Sequence, residues 1–425
     1  MESEVNLTLE NTFRHESGRM IAALTRCIGA KNLELAETAI QDAFVKALQT
    51  WPFEGVPEKP AHWLLKVARN RALDLLKHDS FLQLTEPSSF EGNEKALAQL
   101  ADESLDAYFA DEIADDQLRM IFLCCHDSLS RDMQITLILK TICGFSVPEI
   151  ARAFLAKEQT IAQRLVRAKQ VIREEALEFE VPSKEQLTHR IDAVLLGLYL
   201  LFNEGYSAYD GSDLIREDLC KEAIRLGVLL ATHTITKSPS VFALLSLMLM
   251  HGSRLGARVD CGGNLLLLKD QDRSLWNKEM IHLGLEYLAR SIAGEEMTKY
   301  HLEAAIAACH SIAEAYESTD WLQILGHYDL MLRLYPSPIA YLNRLVAVLM
   351  AEGPLKALQE LKAMPKFKEL EGYHLYYATA AEIHSRLGNA DEATVNYQDA
   401  LKVVRTIPER RFLESKLNTQ IQSID

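Results

Sequence analysis

The sequence predicts an all-α chain divided into several helical domains. Three observations carry that reading: apolar residues recur at spacings of three and four along the chain, no segment sustains the period-two alternation of a half-buried strand, and blocks of opposite charge follow one another. At roughly 100–200 residues per domain, 425 residues make two to four domains, each large enough to bury a core. Apolar residues make up 48 % and charged residues 25 %, a balance that excludes wholesale disorder and collagen-like repetition.

Amphipathic helices are expected over 20–28, 33–48 and 61–76, with the turn Trp51-Pro52-Phe53-Glu54-Gly55-Val56-Pro57 before the third. In that third helix Trp63, Val67 and Leu75 are placed to face a core, while Lys66, Arg69, Asn70 and Lys77 share a polar stripe. Residues 79–110 mix Ser, Glu, Gly and Asn with few large apolar side chains, the composition of a flexible linker. Helices resume near Asp116 and run past Arg173, Pro182 marks a boundary, and from Gln186 the chain is a string of Leu- and Ala-rich helices. No apolar run approaches the ~18 residues of a membrane span, and 241–250 suits a buried helix, so no membrane partner is expected. The start, Met1-Glu2-Ser3-Glu4, lacks a signal-peptide pattern, and seven cysteines form no disulfide framework, so the expected compartment is cytoplasmic.

The formal charge of −15 is unevenly distributed. Residues 59–78 hold five bases against one acid, 79–118 hold eleven acids against one base, and 119–173 hold nine bases against four acids. Electrostatic fields act over a Debye length of ~10 Å, so two basic islands joined by an acidic tether can bind nucleic acid within an acidic chain.

The second island has the pattern of a DNA reader. A short helix over 147–154, preceded by Gly144 and Ser146, is followed by a helix over about 158–172. Ile161, Leu165, Ala168 and Ile172 make one buried stripe, and Ile150 and Ala151 of Glu149-Ile150-Ala151 pack against it. Thr160, Gln163, Arg164 and Arg167 fall on another face with Lys169 at its edge, as in a helix-turn-helix whose second helix enters the major groove. A solvated basic face on an ordinary helix pair gives the same pattern, and the turn is unusual, with Leu155 where Gly is common and Lys157 in place of a Ser-type cap.

The first island supplies the context. Gln41-Asp42-Ala43-Phe44, Trp51, Trp63-Leu64 and Arg69-Asn70-Arg71-Ala72-Leu73-Asp74, followed by Glu149-Ile150-Ala151 and Thr160-Ile161-Ala162-Gln163-Arg164-Leu165-Val166-Arg167-Ala168, resemble regions 2 and 4 of the extracytoplasmic-function sigma factors of bacterial RNA polymerase, over roughly residues 10–175. The resemblance implies a sigma region 2 domain at 1–80, a flexible acidic linker at 81–115 and a sigma region 4 helix-turn-helix domain at 116–180. It implies that Gln41, Asp42 and Phe44 dock core RNA polymerase at the β′ clamp, and that the β flap is a further contact. By the same resemblance Trp63, Lys66, Arg69, Asn70 and Arg71 hold the melted −10 element, where a separated strand needs cations and an unstacked base a pocket. Lys157, Thr160, Gln163, Arg164, Arg167 and Lys169 read the −35 element of promoter DNA as duplex. The acidic linker is either a solvated tether or a nucleic-acid mimic in the RNA exit path. The polymerase supplies the chemistry, so no catalytic residue, metal or cofactor is implied.

Beyond Pro182, Asp192-Ala193-Val194, Leu201-Phe202-Asn203-Glu204-Gly205-Tyr206, Leu219-Cys220-Lys221-Glu222-Ala223-Ile224-Arg225-Leu226, Asp270-Gln271-Asp272-Arg273-Ser274-Leu275-Trp276 and Tyr341-Leu342-Asn343-Arg344 resemble the subgroup with a long tetratricopeptide-like extension, expected as a helical domain at 186–295 and repeats at 296–425. That subgroup generally lacks a dedicated anti-sigma partner, which implies a regulatory extension with a protein or small-molecule ligand. The repeat is visible without the family: Gly353-Pro354 with Ala357, and Gly388-Asn389 with Ala393, Tyr397 and Ala400, lie 35 residues apart, and Thr319-Asp320-Trp321 marks a turn 33 residues earlier.

Asn203-Glu204-Gly205-Tyr206 and Asp270-Gln271-Asp272-Arg273 read either as a sensing site or as caps and salt bridges, and Asn343 and Arg344 as lining a concave surface or holding neighbouring helices. Cys124-Cys125-His126 reads as two buried thiols, because adjacent helical residues point about 100° apart and do not converge on one ion. A second functional reading is a DNA-binding regulator with a repeat-type sensor and no polymerase contact.

Overall fold

The computed structural model describes residues 2–83, 112–153, 156–182, 184–206, 215–260, 262–294, 296–365 and 367–422. Among these every regular element is a helix, and the β-structure recorded is one isolated bridge between Val259 and Leu265. The chain divides into two compact units, Met1–Leu201 and Phe202–Asp425.

The first unit contains α1 (Glu2–Ile28), α2 (Leu33–Glu54), α3 (Pro60–Gln83), α4 (Glu112–Cys124), α5 (Arg131–Leu137), α6 (Val147–Ala153), α7 (Glu158–Glu174) and most of α8 (Lys184–Tyr206). α1 begins some five turns before the expected start at Met20, because Val5 and Leu9 continue its buried stripe toward the N-terminus. α3 is likewise longer than expected, and its buried face is displaced by one residue. Leu64, Leu65, Ala68 and Ala72 are fully buried, whereas Trp63, Val67 and Leu75 lie half-buried at the flank. The two alanines let α2 and α3 approach closely, which pushes the larger side chains to the edges. The acidic stretch between α3 and α4 falls largely at 84–111, outside the described residues.

From Met120 to Cys124 α4 is buried all round, and α1 packs along it. Cys124 and Cys125 are both fully buried, and burial pushes both thiols far above their ordinary range. Ser130 caps α5, which widens at its end into a π turn over Ile138–Ile142. α1 crosses this turn at Gly18, where a Cβ would stand 2.5 Å from the Ile142 carbonyl oxygen. A side chain at that position therefore forces the two backbones apart.

The second unit contains α9 (Glu217–Thr232), α10 (Pro239–Gly252), α11 (Lys278–Ser291), α12 (Lys299–Ile312), α13 (Trp321–Leu334), α14 (Pro338–Ala351), α15 (Pro354–Ala363), α16 (His374–Arg386), α17 (Ala390–Val403) and α18 (Ile407–Gln422). α10 is its most buried element, with Val241 to Met250 below 10 % exposure. By length and composition Pro239–Ala257 does reach the threshold for a membrane span, contrary to the sequence reading, but 78 % of its apolar window is buried inside the fold. From α12 onward each helix packs on its neighbours in sequence. Ala357, Ala393 and Ala400 are fully buried at the helix crossings and Tyr397 is 3 % exposed. Gly353 and Gly388 take φ of 92° and 77° at the turns, a region that other residues enter at a cost. Asp320 opens α13, its carboxylate accepting from the Gln323 amide at 2.9 Å.

Motifs in this unit act as fasteners. Glu204 faces Arg216 at 3.8 Å, and Gly205 lies so close to α9 that a Cβ would stand 2.8 Å from the Cys220 amide nitrogen. The Tyr206 ring lies under the Arg258 guanidinium at 3.7 Å. Asp272 caps the following turn through the Ser274 amide at 2.8 Å, and Arg273 donates to the carbonyls of His310 and Ala313 at 2.8 and 2.6 Å, closing the end of α12. Arg344 joins Asp329 at 2.6 Å and Glu360 at 3.2 Å, holding α13 and α15 to α14.

Candidate nucleic-acid interface

α6 and α7 form the helix pair expected from the second basic island. Ser146 and Glu149 make a reciprocal capping box: the Ser146 amide donates to the Glu149 carboxylate at 2.8 Å, and the Glu149 amide to the Ser146 hydroxyl at 3.3 Å. The Ser-x-x-Glu spacing was the available signal for it in the sequence. Ile150, Ala151, Ile161, Leu165, Ala168 and Ile172 are buried between the helices. Lys157 precedes α7 without a side-chain cap, and Glu158 places a carboxylate in the first turn, where it offsets the helix dipole. Leu155 lies outside the described residues. Ala176, at φ 48°, ends α7 by bringing the Leu177 amide to the Ile172 carbonyl at 3.2 Å.

The polar face of α7 is split. Lys157, Thr160, Gln163 and Arg167 are exposed. Arg164 is half-buried and its guanidinium meets Asp132, at the start of α5, at 2.8 Å. Lys169 turns inward and is ion-paired with Glu37 of α2, whose side chain is 9 % exposed and also accepts from the Thr141 hydroxyl at 3.3 Å. One turn further on Arg173 meets Glu34 at 3.2 Å, and Arg26 of α1 reaches the fully buried Asp116 of α4 at 3.3 Å. The two basic modules are thus packed on each other through α1, α2 and α7, and part of the cation set is held by the chain's own carboxylates.

On α3, Lys66 and Asn70 are exposed, and Arg69 lies beside Asn70, its guanidinium donating to the Asn70 side-chain Oδ1 at 2.9 Å. Arg71 is joined to Asp42 of α2 at 2.6 Å; both side chains are about two-fifths exposed, so the pair contributes under ~1 kcal/mol and exchanges readily with another anion. Trp63 stands edge-on to the buried Trp51 with centroids 5.4 Å apart. The last turn of α2, which runs through Pro52 to Glu54 where a turn over 51–57 was expected, carries Phe53, 89 % exposed, an aromatic face that the pattern of the sequence did not single out.

α2 separates the residues expected to act together. Gln41 is exposed and Asp42 half-exposed, but Phe44 is 8 % exposed, its ring edge-on to Phe13 of α1 at 5.1 Å. The apolar side chains on the outer face are Val45 and Leu48, 51 % and 48 % exposed, in line with Gln41 at spacings of four and three. Two apolar residues at i and i+3 outside the buried stripe were the signal available for that face. Among the described residues no group of three or more His, Cys, Asp or Glu could hold a metal ion.

Comparison with known proteins assigns the modules. Residues 13–81 match sigma-70 region 2, residues 119–172 match sigma-70 region 4, and residues 190–292 match a family of unknown function (DUF6596). An uncharacterized protein of Rhizobium meliloti (strain 1021) is 36 % identical over 405 residues, covering 94 % of each chain. No solved structure matches the chain.

Proposed function

The chain belongs to the sigma-70 family of RNA polymerase sigma factors, and from that premise we propose that it is a cytoplasmic factor of the extracytoplasmic-function type that binds core polymerase through α2, holds a melted −10 element on α3, and reads a −35 duplex with α7. The observation that carries this reading is the placement of two matched modules with outward polar faces: Lys66, Arg69 and Asn70 on one, Thr160, Gln163 and Arg167 on the other. In the groove Arg167 and Gln163 are the side chains able to pair with base edges. Phe53 adds a stacking surface for an unpaired base beside Lys66 and Arg69. The docking surface on α2 is Gln41, Val45 and Leu48, an apolar centre with a polar edge.

The packed first unit is the resting form in this proposal. Two elements about 25 base pairs apart are separated by ~85 Å along B-form DNA at 3.4 Å per pair. A compact unit of this length has a radius of gyration of about 17 Å. Its two modules therefore have to part before both elements are engaged. DNA phosphates would compete for Arg71, Arg164 and Lys169, replacing Asp42, Asp132 and Glu37. The helices after Pro182 are a regulatory extension in the same reading, a helical domain followed from 296 by tetratricopeptide-like repeats, the latter supported by the successive helix pairs and their buried alanines.

Arg167→Ala is expected to lower affinity for the cognate promoter duplex about 10-fold or more, corresponding to one lost base contact of ~1–3 kcal/mol, and to leave core-polymerase binding unchanged. Fluorescence anisotropy with labelled promoter duplex and a pull-down of core polymerase measure the two separately. Loss of both together would remove α7 from DNA reading.

A further inference from the structure

We propose that the second unit binds a small amphipathic anion, an apolar or aromatic body carrying one oxyanion, in a cavity of about 440 Å³ between the turn at Tyr316 and helices α13, α14, α16, α17 and α18. The volume suits a compact small molecule rather than a folded partner. The proposal concerns binding alone and holds whether or not the extension controls transcription.

The walls are mainly apolar and aromatic, with Trp321, Tyr328 and Phe412 among them. The charges are not balanced within the cavity. Lys269, Arg386 and Lys416 line it against a single carboxylate, Glu382. Burial would raise the Glu382 carboxyl, but the hydrogen bond from Arg386 and the fields of Lys416, Arg386 and Lys269 bring it below its ordinary value, so it is ionised. His310, another wall residue, is pushed down to about 4 by burial and by Arg254 and Arg273, so it adds no charge near neutral pH. The lining thus carries two more positive charges than negative.

Two donors converge on a poor acceptor. Arg386 Nη1 lies 3.3 Å from the Met350 sulfur and the Tyr316 hydroxyl lies 3.7 Å from the same atom. A thioether accepts hydrogen bonds weakly, whereas an oxyanion between a guanidinium and a phenol receives charge-assisted bonds roughly twice as strong as neutral ones. The Arg386 Nε is committed to Glu382 at 2.8 Å, which fixes the guanidinium with its other edge toward Met350. Asn343 lines the cavity and hydrogen-bonds Tyr328, while its neighbour Arg344 holds helices together; the two adjacent residues have separate tasks.

The test is a fluorescence titration of the full chain with 8-anilinonaphthalene-1-sulfonate and with its uncharged analogue N-phenyl-1-naphthylamine. One saturable site is expected for the sulfonate, with the uncharged analogue binding at least ~10-fold more weakly. The double variant Lys269→Met, Lys416→Met should weaken the sulfonate ~10-fold or more and leave the analogue unchanged, and Thr379→Trp should remove both by filling the space. Displacement by octanoate would assign a carboxylate ligand and displacement by octyl phosphate a phosphate ligand; either supports the site. Absence of a saturable site, equal affinity for the two probes, an unaltered double variant, or displacement by neither competitor would overturn the proposal.

Discussion

Leu48→Asp is expected to abolish detectable association with core RNA polymerase at concentrations where the parent chain is bound, with no change in the urea midpoint. Leu48 is 48 % exposed beside Val45 at 51 %, so a carboxylate there removes no core packing. At the centre of the proposed docking surface it deletes an apolar anchor and buries an uncompensated charge, a loss of about 2 kcal/mol or more, which is about 30-fold in affinity. Phe44→Ala supplies the contrast. Its ring is packed on Phe13 inside the fold, so its truncation should lower the unfolding free energy by about 3–5 kcal/mol, and any loss of binding should follow that instability. Binding measured by anisotropy of the labelled chain, alongside urea unfolding, separates the two. If Leu48→Asp binds like the parent, the outer face of α2 is not the docking surface.

Glu37→Gln should loosen the contact between the region 2 and region 4 modules and raise affinity for promoter duplex several-fold in the absence of polymerase. The Glu37 side chain is 9 % exposed and Lys169 16 %, so removing one charge leaves the other buried without its partner, at a cost of about 3 kcal/mol in unfolding free energy. Lys169 is then available to phosphate. Gly18→Val reaches the same contact by a different force, since its Cβ would meet the Ile142 carbonyl oxygen at 2.5 Å. Glu34→Gln is the control: its pair with Arg173 is half-exposed on both sides and contributes at most ~1 kcal/mol, so duplex affinity should barely change. If neither Glu37→Gln nor Gly18→Val alters duplex affinity, the packed form is no barrier to DNA.

Much of the fold was legible because helices announce themselves through local spacing. The stripe Ile161, Leu165, Ala168 and Ile172 is buried where the period placed it, and the alanines at 357, 393 and 400 sit at crossings. Errors arose where size and period disagree. On α3 the buried face runs through Ala68 and Ala72, and a reading that weights large side chains selects Trp63, Val67 and Leu75 instead. Phe44 was misjudged for the same reason, since an aromatic residue next to Gln41 and Asp42 fits either an anchor or a core, and only Phe13 decides between them. The ion pair of Glu37 and Lys169 joins residues 132 positions apart, and no local pattern couples them. The cavity is equally hidden, because its cations come from a turn, α16 and α18.

Transcription in vitro by core RNA polymerase, supplied with the purified 425-residue chain and genomic DNA fragments, tests sigma activity itself. Transcripts with defined start sites that require this chain are expected, and they should disappear with Leu48→Asp and fall with Arg167→Ala. A chain that binds DNA fragments but directs no initiation by core polymerase would contradict that expectation.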